Sequence, residues 1–327
     1  MAGPMLLSNI QSRAAGVQAE LSRTWQYRFP VFEKQQNALI RQLPYTNLRN
    51  APYVWKEVAP TVVPWPYGTT RTHQSFQDRK IELDIFPYNL SIPWSQWDEE
   101  DDQVGDFRPS VQKCVDRYLQ LPDRLFTEYL NGTASLNPEI KLAYDGAAMF
   151  SATNGDGAAR FGATGGNIIN GSGFTPADVL HDVAIAQQRF LNFKDPANEI
   201  LFGEDGVEYK DMLCIIPQSL NEIFQAATQS EFLRRDTMNA TSESNYLKGT
   251  FEFRINNRLT DQNDWYIVLE NHDWKPMIYR SPKDIRSIIA DYNNSDHARE
   301  TNEYVFYSDV RVGMGLWCPF VIIKVNL

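Results

Sequence analysis

Residues 106–132, "DFRPSVQKCVDRYLQLPDRLFTEYLNG", carry the strongest helical pattern in the chain. Asp106 is a good N-cap residue, Pro109 suits a first helical turn, and Gly132 stands where a helix is expected to stop. Apolar residues recur at helical spacing along one face, at Val111, Val115, Tyr118, Leu121, Leu125, Phe126 and Tyr129. The pattern predicts one amphipathic helix, about 30–35 Å long, with a kink at Pro122.

The segment before this helix, residues 51–103, has the composition of β-strands that lie at the edge of a sheet. Apolar residues alternate at Ile81, Leu83 and Ile85 and again from Leu90 to Trp94, which predicts strands. Prolines interrupt both halves and demote the strands to edges. The polar stretch "YGTTRTHQSFQD", residues 67–78, indicates the turn of a long hairpin.

An isolated hairpin needs a surface to cover its aromatic side chains. Two strands alone are only marginally stable in water, and their open edges pair readily with other chains. We therefore expect the Trp and Tyr side chains of this segment to pack against another copy of the protein. The alternative, a hairpin folded back on its own domain, stays open at this point.

The segment after the helix, "YDGAAMFSATNGDGAARFGATGGN" (residues 144–167), is rich in glycine. A dinucleotide-binding loop would need a third glycine where Arg160 stands, and no Walker-type lysine follows. "NGDG" lacks the alternating oxygen ligands of a calcium loop. We interpret the segment as a flexible, turn-rich connector.

The remaining chain mixes helices and strands without a regular βαβ repeat, which indicates the α+β class. A second helix is expected to start at Thr175, followed by a strand over 211–217 and a helix in "PQSLNEIFQAATQ". Strand patterns then return in "FEFRINNRL", "DWYIVLEN" and "KPMIYRS", and the chain closes with the strongly alternating "NEYVFYSDVRVGMGLWCPFVIIKVN".

Charge and composition exclude several classes. The net charge of −10 speaks against broad adhesion to nucleic acid, but residues 1–50 hold six basic side chains against two acidic ones. The sequence has no apolar run long enough for a membrane span, and its start lacks the pattern of a secretion signal, so we expect neither. Three widely spaced cysteines are expected to be reduced and buried.

No catalytic or metal-binding motif survives inspection. The four histidines are scattered, with no paired spacing, and there is no G-x-S-x-G elbow. No Cys/His cluster indicates zinc. The acidic run "DEEDD" (residues 98–102) is interpreted as a solvated stretch. Cation binding, or a bridge to a basic patch on a neighbouring subunit, are the alternatives. We therefore expect no enzyme activity, no cofactor and no metal.

Taken in order, these segments resemble a tailed-phage major capsid protein, and more specifically the Mu-type major head subunits. The matching stretches are the long helix leading into "YDGAAMFSAT", then "GGNIINGSG", "GTFEFRINNRLTDQNDWYIVLENHDWKPMIYR" and "NEYVFYSDVRVGMGLW". The resemblance extends over roughly residues 30–317 and lies in the order of the segments.

The resemblance implies the Hong Kong 97-type phage capsid fold, of class α+β. Its expected parts are an N-terminal arm (1–50), an extended loop (51–103), a peripheral domain with the spine helix (104–199 and 276–327) and an axial domain (200–275). The extended loop would contact a neighbouring subunit through Trp55, Trp65, Tyr67, Phe86 and Trp94. The arm would face DNA or a neighbour through Arg13, Arg23, Arg28, Lys34 and Arg41. The glycine-rich connector would flex where subunits adopt different curvatures.

The implied function is a major capsid protein that assembles into an icosahedral shell around double-stranded DNA. Its implied partners are further copies in hexamers and pentamers, DNA bound without sequence specificity, and portal, scaffold and decoration proteins. It would lie in the virion after assembly in the cytoplasm of a bacterial host. Two alternatives remain: an encapsulin-like shell around a protein cargo, and a soluble carbohydrate-active enzyme using the aromatic hairpin.

Overall fold

A computed structural model describes residues 39–43, 50–58, 63–71, 73, 77–95, 113, 116–117, 120–136, 142–202, 206–234, 242–280, 286–290, 295–301 and 303–327. The strands are β1 (Ile40–Leu43), β2 (Asn50–Val58), β3 (Gln77–Asp84), β4 (Phe86–Ser95), β5 (Ile168–Asn170), β6 (Met212–Ile216), β7 (Phe232–Arg234), β8 (Ser242–Ser244), β9 (Glu252–Ile255), β10 (Trp265–Leu269), β11 (Met277–Arg280), β12 (Arg286–Ala290), β13 (Glu303–Leu316) and β14 (Ile322–Asn326). The helices are α1 (Leu121–Asn131), α2 (Pro176–Leu191), α3 (Asn221–Gln229) and α4 (Asp296–Thr301). The strands and helices predicted after residue 175 are confirmed.

A mixed sheet of five strands, ordered β5-β14-β10-β6-β9, forms the middle layer of the body. Its central strands β6 and β10 are buried along their whole length. Alternate side chains point to opposite faces: Cys214 and Trp265 pack with the side chains of α2 and α3, whereas Ile215 and Tyr266 pack with those of α1. Helices therefore cover both faces, which explains why these strands read as continuous apolar runs.

The strand pairing divides the chain differently from the predicted domain boundaries. β5 and β14 lie in the same sheet as β6, β9 and β10, although the sequence boundaries placed the first two in the peripheral part and the other three in the axial part. The reason is that the chain returns to this sheet after β13. Strands on both sides of residues 199 and 276 therefore share one hydrogen-bonded sheet, and the division into peripheral and axial domains stays a prediction.

A second sheet is built around the long strand β13, in the order β1-β11-β13-β12, with β4 also paired to β13. β4 joins it antiparallel, from Glu303↔Ser95 to Val312↔Phe86. β1, at the end of the predicted arm, runs parallel to β11 at the sheet edge. The prolines of β4 are tolerated because this strand pairs on one side only among the described residues.

Strands β2 and β3 form the predicted hairpin, with an antiparallel register from Asn50↔Asp84 to Val58↔Gln77. The predicted extended loop of 51–103 is therefore only partly a hairpin, because β4 leaves it and enters the β13 sheet. The hairpin crosses β13 where that strand carries glycines. A Cβ atom on Gly315 would lie 2.5 Å from the Leu83 side chain, and one on Gly313 would lie 2.9 Å from the Asp84 carbonyl oxygen.

The helix ends follow the sequence signals, with one difference. Thr175 and Asp178 form a reciprocal capping box at the start of α2, and Gly132 ends α1 in the left-handed conformation at φ 66°. Residues 113, 116 and 117 are also helical, and the Gln120 N–H donates to the Asp116 carbonyl at 3.0 Å, so the helix is interrupted just before Pro122, where a kink was predicted. Pro122 itself lies in the first turn of α1, where its missing N–H costs no hydrogen bond. Asp106 and Pro109 lie outside the described residues.

Candidate subunit-contact surface

The tip of the hairpin, residues 63–71, exposes large apolar side chains. Trp65 is 57% exposed and Tyr67 is fully exposed, and Val63 beside them is also exposed. Aromatic rings of this size normally bury most of their surface. A cluster of them at the end of a two-stranded projection therefore indicates a surface that another molecule covers.

Local contacts hold the tip in a defined shape. Thr69 donates from its backbone N–H and from its hydroxyl to the Pro66 carbonyl, at 3.2 and 2.7 Å. The Trp65 indole N–H donates to the Thr69 carbonyl at 2.7 Å, and the Arg71 guanidinium lies over the Trp65 ring, 4.6 Å from its centroid. Gly68 has φ 85°, which the turn requires. Contacts within the tip itself therefore define its conformation in the single chain.

The base of the hairpin packs into its own subunit. The Trp55 ring meets the Tyr144 ring edge-on at 5.4 Å and the Trp317 ring at 6.4 Å, and Trp55 is only 9% exposed. Trp55 was predicted to contact a neighbouring subunit, but this burial leaves little of its surface for one. The physical reason is that alternation along β2 turns Trp55 inwards, towards the central core.

Two further predicted interface residues, Phe86 and Trp94, lie in β4 and not at the hairpin tip. Phe86 begins β4 opposite Val312 and is half-buried. Trp94 lies in β4 opposite Tyr304, but its side chain is outside the described part of the chain. Arg13, Arg23, Arg28, Lys34 and the acidic run at 98–102 also fall outside it.

Arg41 is the one predicted arm residue that the structure describes. It lies in β1 with its guanidinium over the Trp317 ring, 4.8 Å from the centroid, and 5.9 Å from the centroid of Tyr53. Part of this side chain therefore packs on the aromatic cluster at the hairpin base.

The glycine-rich segment is tied together by a buried arginine. Arg160 is 1% exposed, and its guanidinium donates to both carboxylate oxygens of Asp145, at 2.6 and 3.0 Å. It also donates to the carbonyls of Ala148 and Met149, at 2.8 and 2.9 Å. The fully buried Asn167 amide donates to the Met149, Pro319 and Ile322 carbonyls.

These contacts change the interpretation of the segment as a flexible joint. Its glycines permit close approach: a Cβ atom on Gly166 would lie 2.1 Å from the Ser151 carbonyl oxygen, and one on Gly155 would lie 2.9 Å from that of Asp145. These hydrogen bonds and close backbone contacts give the segment a compact conformation between α1 and β5. The sequence signal that could have revealed it is the lone arginine among small residues.

One cluster of polar side chains has the composition of a catalytic triad but not its geometry. The Ser172 hydroxyl donates to Asp182 at 2.6 Å and contacts His181 Nδ1 at 2.9 Å. The serine proton is thus directed to the carboxylate, whereas a catalytic serine needs the histidine as its base. The backbone N–H of Ser172 donates to both oxygens of Asp182. Burial raises the pKa of Asp182, and the cluster fastens the loop before α2.

Among the described residues, no group of three His, Cys, Asp or Glu side chains lies close enough to hold a metal ion. None of the helices in the described ranges is long and apolar enough to cross a membrane. Cys214 and Cys318 are buried, as predicted, and burial raises the pKa of the Cys214 thiol.

Comparison with solved structures identifies the fold. The chain matches the capsid of a native GTA particle with a TM-score of 0.55 at 11% identity, covering 89% of this chain and 90% of that one. It matches the capsid of the cyanophage P-SCSP1u with a TM-score of 0.53 at 11% identity, covering 88% and 86%. It also matches a virus-like particle from Pyrococcus furiosus with a TM-score of 0.51 at 10% identity, covering 94% and 98%.

The chain therefore has the Hong Kong 97-type capsid fold, and the predicted fold and α+β class are confirmed. No protein-family model matches the chain, and no curated protein matches its sequence. The narrower resemblance to Mu-type head subunits stays a prediction.

Proposed function

We propose that the chain is the major capsid protein of a tailed phage, a subunit that assembles into an icosahedral shell around double-stranded DNA. The observation that carries the proposal is the exposed aromatic tip on a hairpin whose base is buried in its own subunit. The capsid fold covers nearly the whole chain, and structures with that fold come from phage and GTA capsids.

The tip supplies enough apolar surface to drive association. Aromatic side chains bury about 150–250 Å² each. Covering the exposed parts of Val63, Trp65 and Tyr67 would therefore remove roughly 250–400 Å² from water, or about 6–10 kcal/mol gross per copy. Association and ordering consume part of this. Because the tip is held by its own turn and by Arg71, the ordering cost is small.

The further partners of the shell follow from this role. Hexamers and pentamers of the same chain would form the shell, packaged DNA would lie inside it, and portal, scaffold and decoration proteins would complete the head. The basic arm would face the DNA or a neighbouring subunit. The location would be the virion, after assembly in the cytoplasm of the host.

A double substitution at the tip tests the proposal. Wild-type protein expressed alone should give closed particles or capsomer rings in size-exclusion chromatography and negative-stain microscopy. Trp65→Ala with Tyr67→Ala should remove them and leave a folded subunit, because both side chains are exposed in the single chain. The control, Trp65→Phe with Tyr67→Phe, keeps a ring at each position and should assemble. Normal particles from the alanine variant would contradict the role of the tip.

A second candidate, an encapsulin-like shell around protein cargo, has one observation in its favour. The virus-like particle from Pyrococcus furiosus covers 94% of this chain at a TM-score of 0.51. The fold is common to both kinds of particle, so the contents decide. Nuclease-protected DNA in particles purified from the natural source supports the phage capsid, and a co-purified protein cargo supports the alternative.

A further inference from the structure

An open pocket of about 260 Å³ lies beside the base of the hairpin. Its walls come from β3, from the glycine-rich segment and from the loop after α2. Tyr144, Phe161 and Leu201 supply apolar surface, and Arg79 and Lys194 supply positive charge. We call it the base pocket. Since a cavity of about 150 Å³ is enough to hold a benzene ring, the base pocket has room for one aromatic side chain.

Two aromatic rings in the pocket wall each carry a cation. The Arg79 guanidinium lies 5.6 Å from the centroid of the Tyr144 ring. The Arg160 guanidinium lies 5.0 Å from the centroid of the Phe161 ring, which also packs on Phe193 at 5.2 Å between centroids. Phe161 has φ 56°, a left-handed conformation that is strained for a residue other than glycine. The chain therefore accepts local strain at the position that places this ring in the wall.

The hairpin tip of the same chain lies away from the base pocket. Arg79 pairs with Trp55 within the β2–β3 ladder. The tip, residues 63–71, lies beyond the last pair of that ladder, Val58↔Gln77. An aromatic side chain that reaches the base pocket from a tip must therefore belong to another copy.

The tip carries side chains that match the base pocket in size and charge. Tyr67 is fully exposed, and its single ring fits the volume of the pocket. The negative face of an aromatic ring attracts cations, as supplied by Arg79, and the Lys194 ammonium can donate to a phenol oxygen. Arg71 is the only charged side chain of the tip, and the carboxylate of Asp195 in the pocket wall has the opposite charge.

We propose that Tyr67 of one copy inserts into the base pocket of a second copy. This inference rests on the proposed shell function and deepens it, because it names the surface that receives the tip. Every copy carries one tip and one base pocket, so each copy inserts a ring on one side and receives one on the other. Such a head-to-tail contact closes into a ring of subunits when the rotation between neighbours closes.

The area of this contact predicts weak pairs and stable rings. The tip contributes roughly 250–400 Å², and together with the matching pocket wall one contact buries about 500–800 Å², below the ~1,200–2,000 Å² of a stable interface. In a closed ring each copy makes the contact twice, and the last contact forms within one assembly at high effective concentration. We therefore expect rings and few free dimers.

Disulfide trapping tests the contact. Thr70→Cys is exposed at the tip and leaves Tyr67 in place, and Ala159→Cys is exposed in the pocket wall. The background carries Cys114→Ser, and the other two cysteines are buried. Mild oxidation of assembled protein with both new cysteines should give a ladder of cross-linked multimers on non-reducing gels. Either single variant can give dimers at most.

A matched pair and a filled pocket provide the controls. Thr70→Cys with Ser244→Cys, whose second cysteine is exposed on the β7–β8 hairpin, should give at least tenfold less ladder. Ala159→Trp adds an indole to the exposed pocket wall, so it should leave the subunit folded but lower the yield of particles or rings at least tenfold. Ala159→Ser adds a single oxygen atom and should assemble.

The outcomes separate this inference from the proposed function. If the double alanine variant of the tip loses particles, but Ala159→Trp assembles normally and no ladder forms, the shell function stands and the inference is wrong. If Ala159→Trp blocks assembly but the tip and pocket cysteines give no ladder, another surface covers the pocket and the inference is again wrong. If the wild type forms neither particles nor rings, both are wrong.

Discussion

Replacing Arg160 by Met should destabilise the subunit strongly. The substitution keeps a long side chain but removes five hydrogen bonds, which the guanidinium donates to Asp145, Ala148, Met149 and Asn167. Because Arg160 is 1% exposed, water cannot replace those donors. Removing one partner of a buried pair costs about 3–5 kcal/mol, a large part of a total stability of roughly 5–15 kcal/mol.

The matched control is the exposed ion pair of Arg258. Arg258 contacts Asp123 at 2.8 Å, but both side chains are about 40% exposed, so Arg258→Met should cost about 0–1 kcal/mol. Arg160→Lys should lie between the two, because an ammonium group keeps the charge but loses the forked contact with both carboxylate oxygens.

Denaturant unfolding of unassembled subunits, followed by far-UV circular dichroism, measures these differences. A loss of ~3–5 kcal/mol also lowers Tm by roughly 6–15 °C. Hydrogen exchange adds a local test, since the Arg160 variant should lose protection first within residues 145–167. The reasoning is refuted if Arg160→Met unfolds within 1 kcal/mol of Arg258→Met (~1 kcal/mol being the usual limit for an exposed pair). The segment would then be the flexible joint that its glycine content suggested.

Three further predictions concern buried positions. Gly166→Ala should destabilise the subunit by more than about 2 kcal/mol in the same unfolding assay, because its Cβ atom would lie 2.1 Å from the Ser151 carbonyl oxygen; Gly157→Ala, with open space around it, should cost only the strain of a positive φ. Burial raises the pKa of Asp182, so the folded state binds a proton more readily than the unfolded state does. The stability of the wild type should therefore fall, relative to that of Asp182→Asn, as the pH rises from about 4 through the raised pKa. Equal pH profiles of stability for the two proteins would contradict this. Burial raises the pKa of the Cys214 thiol, so this cysteine should resist thiol reagents in the native subunit and react after unfolding; rapid native labelling at Cys214, located by peptide mapping, would contradict it.

Local signals in the sequence predicted the elements well where their physical cause is also local. The capping box at Thr175 and the left-handed glycine at 132 depend on residues within one helical turn. The apolar runs of β6 and β10 indicated strands, and the structure shows why the runs are continuous: both strands are buried along their whole length. The pairing partners of these strands could not be predicted from local sequence. β14 pairs with β10 only because the chain returns to this sheet after β13.

The interface residues show where sequence reasoning stops. Trp55 and Trp65 have similar surroundings in the sequence. Alternation along a strand assigns residues to one face or the other, but it does not show whether the same subunit or a neighbouring one packs on that face. The structure separates them, because Trp55 packs on Tyr144 and Trp317 whereas Trp65 stands at the tip beside Arg71.

The glycines of β13 connect the hairpin to the body and give its projection a physical basis. Glycine weakens a strand, so its repetition in "VGMGLW" needs a reason. That reason is Leu83, which is 1% exposed and occupies the space where a side chain on Gly315 would lie. A larger residue at 315 would push Leu83 and the base of the hairpin away from β13. The tip lies at the far end of the same two strands, so a small shift at the base moves Trp65 and Tyr67 further. Small residues in β13 therefore set the orientation of the hairpin. That orientation in turn positions the tip for the contact that we propose between subunits.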